Sequence, residues 1–152
     1  MQKDYHAIAK RLSRNSELTQ LYERRELGCL FCDVQVSDKK RIVSENALAY
    51  ATRDAFPVTP HHTLIVPRRH VLDYFGLKQP EISAINRLLK DQKISLQKLD
   101  STIEGFNIGM NCGEAAGQSV FHCHVHLIPR RKGDVESPRG GVRHVIPAKG
   151  NY

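Results

Sequence analysis

Phe121–Arg131 reads FHCHVHLIPRR, with His122, His124 and His126 on every second position and Cys123, Val125 and Leu127 between them. A strand alternates its side chains between two faces, so this spacing predicts three imidazoles on one face and an apolar face behind them. Pro129 has no N–H to donate and is expected to end the ladder. Near neutral pH an imidazole serves as metal ligand, base, acid or nucleophile, and three on one face suit that chemistry better than they suit a core. The bland alternative is a solvated strand face that carries histidine by chance.

Two further groups of residues have chemistry to offer. The loop Asn111–Ser119, NCGEAAGQS, runs directly into the histidine segment. Gly113 and Gly117 let backbone N–H groups approach an anion closely, and Gln118 and Ser119 add neutral donors beside the imidazoles. A Gly-rich loop alone is an ordinary turn; placed just before His122 it forms one wall of a phosphate site. The second group is Cys29-Leu30-Phe31-Cys32, which reads as half a zinc site or as a redox pair. A redox pair normally sits at the N-terminus of a helix that follows a strand, a layout not expected here. Cys112 and Cys123 read as small pocket-wall or core residues.

The elements that must position these residues follow from periodicity. Residues 4–27 read as helix, broken or recapped near Asn15-Ser16, with Gly28 at its end. Short strands are expected at 41–44 and 47–53 around a turn at Ser44-Glu45-Asn46, and another at His62–Val66 after the Pro57–Pro60 loop. The longest helix should span 79–100, with Pro80 in its first turn and Ile82, Ile85, Leu88, Leu89, Ile94, Leu96 and Leu99 as its apolar stripe. Phe106–Asn111 resumes a strand, and 132–152, rich in Gly, Pro and charge, reads as an arm rather than a second domain. The order predicts an α+β fold, a mainly antiparallel sheet with the long helix packed on it. The domain should occupy 29–152, preceded by an N-terminal helical extension over 1–28.

The chain has 152 residues, 40% hydrophobic and 26% charged, enough to bury one core without staples. No apolar run approaches a membrane span, and the first residues lack the apolar stretch of an export signal. The four cysteines are therefore expected as thiols or ligands in the cytoplasm. A net charge of +7 favours anionic partners, but aromatics are only 7% and no basic stripe interleaves with them. A small phosphorylated ligand accounts for the charge as well as a nucleic acid would.

AAGQSVFHCHVHLIPR resembles the C-terminal signature of the histidine-triad (HIT) family, and FPVTPHHTLIVPRRH resembles its other marked segment. The likeness spans about residues 29–147. It implies an α+β homodimer that acts on the α-phosphate of nucleotides, most plausibly of dinucleoside polyphosphates. It further implies His124 as nucleophile, with His126 and Ser119 on the phosphate, Gln118 near the bridging oxygen and His62 supporting the catalytic imidazole. Asp54 falls at the family's ribose-binding position and Asn111 at one lining the same pocket; Gly117 belongs to the phosphate loop. Members with CxxC complete a structural zinc site with two histidines, here His70 and His122. His126 stands where nucleotide-sugar transferases tend to carry Gln, which favours hydrolysis. His61 replaces a usual Gly, so positive φ there would be costly.

Physical chemistry supports the same reading, since a phosphoanhydride needs a nucleophile and charge stabilisation on its non-bridging oxygens. Competing expectations are a phosphorylase, nucleotidyl-transferase or phosphoramidase, a low-turnover nucleotide sensor, and an enzyme of nucleic-acid ends.

Overall fold

The computed structural model describes residues 20–150. Most of the helix expected over 4–27 lies outside them. Five strands form one antiparallel sheet: β1 (Ile42–Glu45), β2 (Ala49–Arg53), β3 (Thr63–Pro67), β4 (Gly105–Gly109) and β5 (Val125–Arg130). Their order across the sheet is β1-β2-β3-β5-β4. Among the described residues, helices α1 (Leu30–Val36) and α2 (Gln79–Leu99) accompany it. The α+β architecture is the one expected from the sequence.

Alternation along β2 and β3 explains how both sheet faces are filled. Ala49, Ala51 and Ile65 point to one face and meet Ala84, Ile85 and Leu88 of α2. Tyr50, Leu64 and Val66 point to the other and meet Phe31 and Val34 of α1. β2 and β3 are thus buried on both sides. The β1–β2 turn is held by Asn46, whose Oδ1 accepts from Leu48 N at 3.1 Å and Ala49 N at 2.9 Å while Nδ2 donates to Ala84 O at 2.9 Å. That turn sits just beyond the expected Ser44–Asn46.

α2 starts as predicted but its inner stripe differs. Ile94 and Leu99 are exposed, and the buried positions are Glu81, Ala84, Ile85, Leu88, Gln92 and Leu96. Glu81 is admitted because Arg69 pairs with it through Nε–Oε1 at 2.8 Å and Nη2–Oε2 at 2.7 Å, and Lys78 N donates to it at 2.8 Å. Gln92 Oε1 accepts from Arg53 Nη1 at 3.1 Å. Partnered polar groups can replace apolar ones on a buried face.

The histidine segment departs from the expected strand in two ways. β5 begins only at Val125, so of the three imidazoles His126 alone lies on the ladder, paired with Leu64 and Gly109. His122 and His124 precede it. Pairing then continues through Pro129, opposite Phe106, to Arg130. β3 has ended by Leu127, so β5 has β4 on one side only there, the edge setting in which proline is tolerated.

Candidate functional site

His124 is buried and its Nδ1 lies 2.8 Å from the carbonyl oxygen of His122. A carbonyl only accepts, so Nδ1 carries the proton and Nε2 keeps its lone pair. The ring is flanked by Phe31 of α1, centroids 5.0 Å apart, and by His126 at 5.2 Å.

His126 projects from β5 toward β3, where His62 stands immediately before the strand. His62 Nε2 and His126 Nδ1 are 2.9 Å apart. On the far side, His62 Nδ1 lies between two groups of opposite preference. Val58 N–H is 3.4 Å away and favours a lone pair there; Asp54 Oδ2 is 3.5 Å away and favours a proton. Asp54 Oδ1 accepts from Phe56 N at 2.9 Å, which fixes the carboxylate. Burial lowers the His62 pKa, with Asp54 opposing it. Burial, reinforced by His124 and His62, pushes His126 down to about 4. Both imidazoles are neutral at pH 7.

The Gly-rich loop turns where the sequence placed its glycines. Gly113 has φ 87° and Gly117, left-handed, has φ 86°. Gln118 is buried and its side chain serves the loop: Oε1 accepts from Gly113 N at 2.8 Å and Nε2 donates to Leu72 O at 2.6 Å. Ser119 and Gly117 are exposed on the loop, and Asn111 Nδ2 reaches Gly117 O at 3.5 Å. His61 does adopt a positive φ, 69°, despite its side chain. Such strain costs on the order of 1 kcal/mol.

Beside His62 and His126 opens a cleft of ≈ 390 Å³, walled by Asn111, Ile128 and, from the C-terminal arm, Val142 and Val145. The arm's part in this wall escaped sequence reading, since a valine in a charged, Gly-rich tail carries no signal of what it faces.

Behind the histidine segment, Cys29, Cys32, His70 and His122 come together, their ligand atoms all within 4.8 Å of one another. Cys29 Sγ is 3.4 Å and Cys32 Sγ 3.6 Å from His122 Nδ1, and Cys32 Sγ is 3.5 Å from His70 Nδ1. Tetrahedral zinc with ordinary Zn–S and Zn–N bonds needs sulfur–nitrogen edges of about 3.5 Å. His122 Nε2 donates to Pro67 O at 2.9 Å, which leaves Nδ1 unprotonated toward the thiols. Glu26 contributes twice: its N–H donates to Cys32 Sγ at 3.3 Å, and its Oε2 lies 2.9 Å from His70 Nε2, off the line of a regular hydrogen bond. Burial raises the Cys32 thiol to about 11. A divalent cation would supply the charge that lets such thiols ionise. The four residues fit a metal.

Cys29 is also the N-cap of α1. The pair therefore straddles a helix start, but among the described residues no strand precedes that helix, and the thiols face two imidazoles. Cys123 is buried, its thiol pushed up to about 12, and Cys112 is half-buried.

Known proteins resemble this chain in sequence and in fold. The chain is 37% identical to the AP-4-A phosphorylase of Mycobacterium tuberculosis over 102 residues, 66% of this chain and 52% of that protein. A Zn-bound histidine triad family protein from Mycobacterium smegmatis superposes with a TM-score of 0.66 at 29% identity, covering 73% of this chain and 81% of the other. The Plasmodium falciparum diadenosine triphosphate hydrolase superposes with a TM-score of 0.61 at 31% identity, over 66% of this chain and 67% of the other. Residues 35–133 match the HIT domain, and the chain belongs to the HIT domain family.

Proposed function

We propose that the protein is an enzyme that splits dinucleoside polyphosphates at an α-phosphate through a nucleotidyl-histidine intermediate. The observation that carries this reading is the 2.8 Å approach of His124 Nδ1 to the His122 carbonyl, which commits Nδ1 as donor and leaves Nε2 as the nitrogen for attack on phosphorus. In the first step the Nε2–P bond forms and the P–O bond to the departing polyphosphate breaks, its electron pair leaving with oxygen. The proton stays on Nδ1, donated to the His122 carbonyl oxygen. In the second step an acceptor oxygen attacks phosphorus and releases His124.

His126 and Ser119 take the non-bridging oxygens, and Asp54 takes the ribose hydroxyls. With Val58 N–H on His62 Nδ1, His62 donates to His126 and His126 presents Nε2–H to the phosphate. With the proton shifted toward Asp54, His126 Nε2 is free to take the proton of an attacking water. An anionic phosphate beside His126 raises its basicity from the low value of the empty site.

Zinc at Cys29, Cys32, His70 and His122 has a structural role in this reading, because four protein ligands leave no open position. It ties α1, the turn after β3 and the histidine segment together. Among the described residues β4 pairs on one side only, and that edge is where a second copy would extend the sheet into a homodimer. No helix among the described residues is long and apolar enough to cross a membrane. A reducing cytoplasm suits the thiols, and nucleic acid is not the assigned partner.

A second reading is favoured by the likeness to a phosphorylase, in which orthophosphate replaces water as acceptor. Incubation of diadenosine tetraphosphate with and without orthophosphate tests both. AMP plus ATP formed in either condition supports hydrolysis; ADP plus ATP formed only with orthophosphate supports phosphorolysis. Symmetric cleavage to two ADP without orthophosphate contradicts attack at the α-phosphate.

A further inference from the structure

The segment PRGGVRHVIPAKG, Pro138–Gly150, is a closed loop rather than a trailing end. Arg143 donates from Nε to Gly150 O at 3.3 Å and from Nη2 to Lys149 O at 3.4 Å, and His144 Nε2–H donates to Arg139 O at 2.9 Å. Gly150 lies against the His144 ring and Gly140 against the Gly150 carbonyl, with no room for a Cβ at either position. Gly141 packs on the Asn107 amide of β4. The loop is thereby anchored beside the cleft, where Val142 is 57% and Val145 73% exposed. A constrained loop that holds two valines toward water at a cleft gains when a flat apolar group covers them.

Topology says which group. Asp54 follows β2, beside His62, and the cleft runs from Val58, His62 and His126 across β5 and β4, so it extends from the imidazoles on the side away from β2. With the ribose of the attacked nucleotide at Asp54, the β4 side of the imidazoles faces the departing group. Ile108 and Ile128 supply the inner apolar wall and Asn111 an amide, and ≈ 390 Å³ falls within the size of small-ligand pockets. We infer that this cleft takes the aromatic base of the departing nucleotide and that Val142 and Val145 form its outer wall. This assignment rests on the proposed roles of His124 and Asp54. It makes the arm a determinant of what the enzyme accepts as leaving group.

The test compares Val142→Asp and Val145→Asp with wild type on two compounds that share the attacked nucleotide. Diadenosine tetraphosphate has a departing nucleoside; adenosine 5′-phosphofluoridate, used as substrate or competitive inhibitor, has none. The expected result is a KM rise of about tenfold or more for the first, the loss of one well-packed aromatic contact, with less than a twofold change for the second. Val142→Ala and Val145→Ala should show the same selectivity at smaller size, which covers the case of an aspartate variant that does not fold. Equal changes for both compounds, or none, overturn the inference. So does a changed oligomeric state with KM preserved, since a second copy would then cover the valines. A wild-type protein that turns over no dinucleoside polyphosphate overturns the parent reading and this one with it.

Discussion

Truncating Asp54 separates two contacts of its carboxylate. Asp54→Ala removes both the proposed ribose acceptor and the group 3.5 Å from His62 Nδ1. A lost charged hydrogen bond to the ribose costs about 1.5–3 kcal/mol in binding, and that loss should fall on a ribonucleotide and spare its 2′,3′-dideoxy counterpart. Calorimetric titration of both nucleotides checks this; equal losses would confine Asp54 to His62. The residue scale is also where the sequence was most informative. The spacing of His122, His124 and His126 and the pairing of Cys29 with Cys32 marked both clusters. The spacing alone did not assign their separate partners, a metal pocket, a carbonyl and His62, because those depend on a ladder that begins only at Val125. Glu81 and Gln92 were missed as core for a related reason: their partners Arg69 and Arg53 are close only in the folded chain.

At the scale of elements, α1 does two things at once. Its first residues carry the thiols, and Phe31 packs on His124 and His122. Loosening α1 should therefore unsettle the His122–His126 segment by unfolding rather than by removing a reactive group. Elemental analysis is expected to find about one zinc per chain, as a closed four-ligand site requires. Cys29→Ser combined with Cys32→Ser should lose the metal and lower Tm, with activity falling only as fast as the folded fraction. Metal-free wild-type protein with unchanged Tm and full activity would leave the thiols without a ligand role. The α2 boundaries and strands β2 and β3 were legible because the helix periodicity is long and the burial of those strands two-sided. α1 was not, since seven residues that begin at a cysteine cap carry too short a pattern.

For the whole molecule, the buried imidazoles set the response to acid. His126 titrates near 4 in the folded protein and near 6.5 when unfolded. Between those values the unfolded chain binds more protons, so stability declines as pH falls from 6.5 to about 4. Thermal melts across that window should show the decline, and His126→Asn should lessen it without abolishing it, since burial lowers His62 and His122 as well; an unchanged slope would remove His126 as a source. The arm and the free β4 edge also belong to this scale, and each depends on assembly that periodicity does not encode. The central claim remains the covalent role of one nitrogen. Wild-type protein mixed with diadenosine tetraphosphate, quenched without acid and digested, should yield a nucleotidyl adduct on the peptide containing His124. His124→Ala should give no adduct and no turnover while nucleotide affinity stays within about tenfold, as befits a group that acts at the transition state. An adduct on another residue, or a His124→Ala protein that keeps more than a few percent of wild-type kcat, would contradict the account.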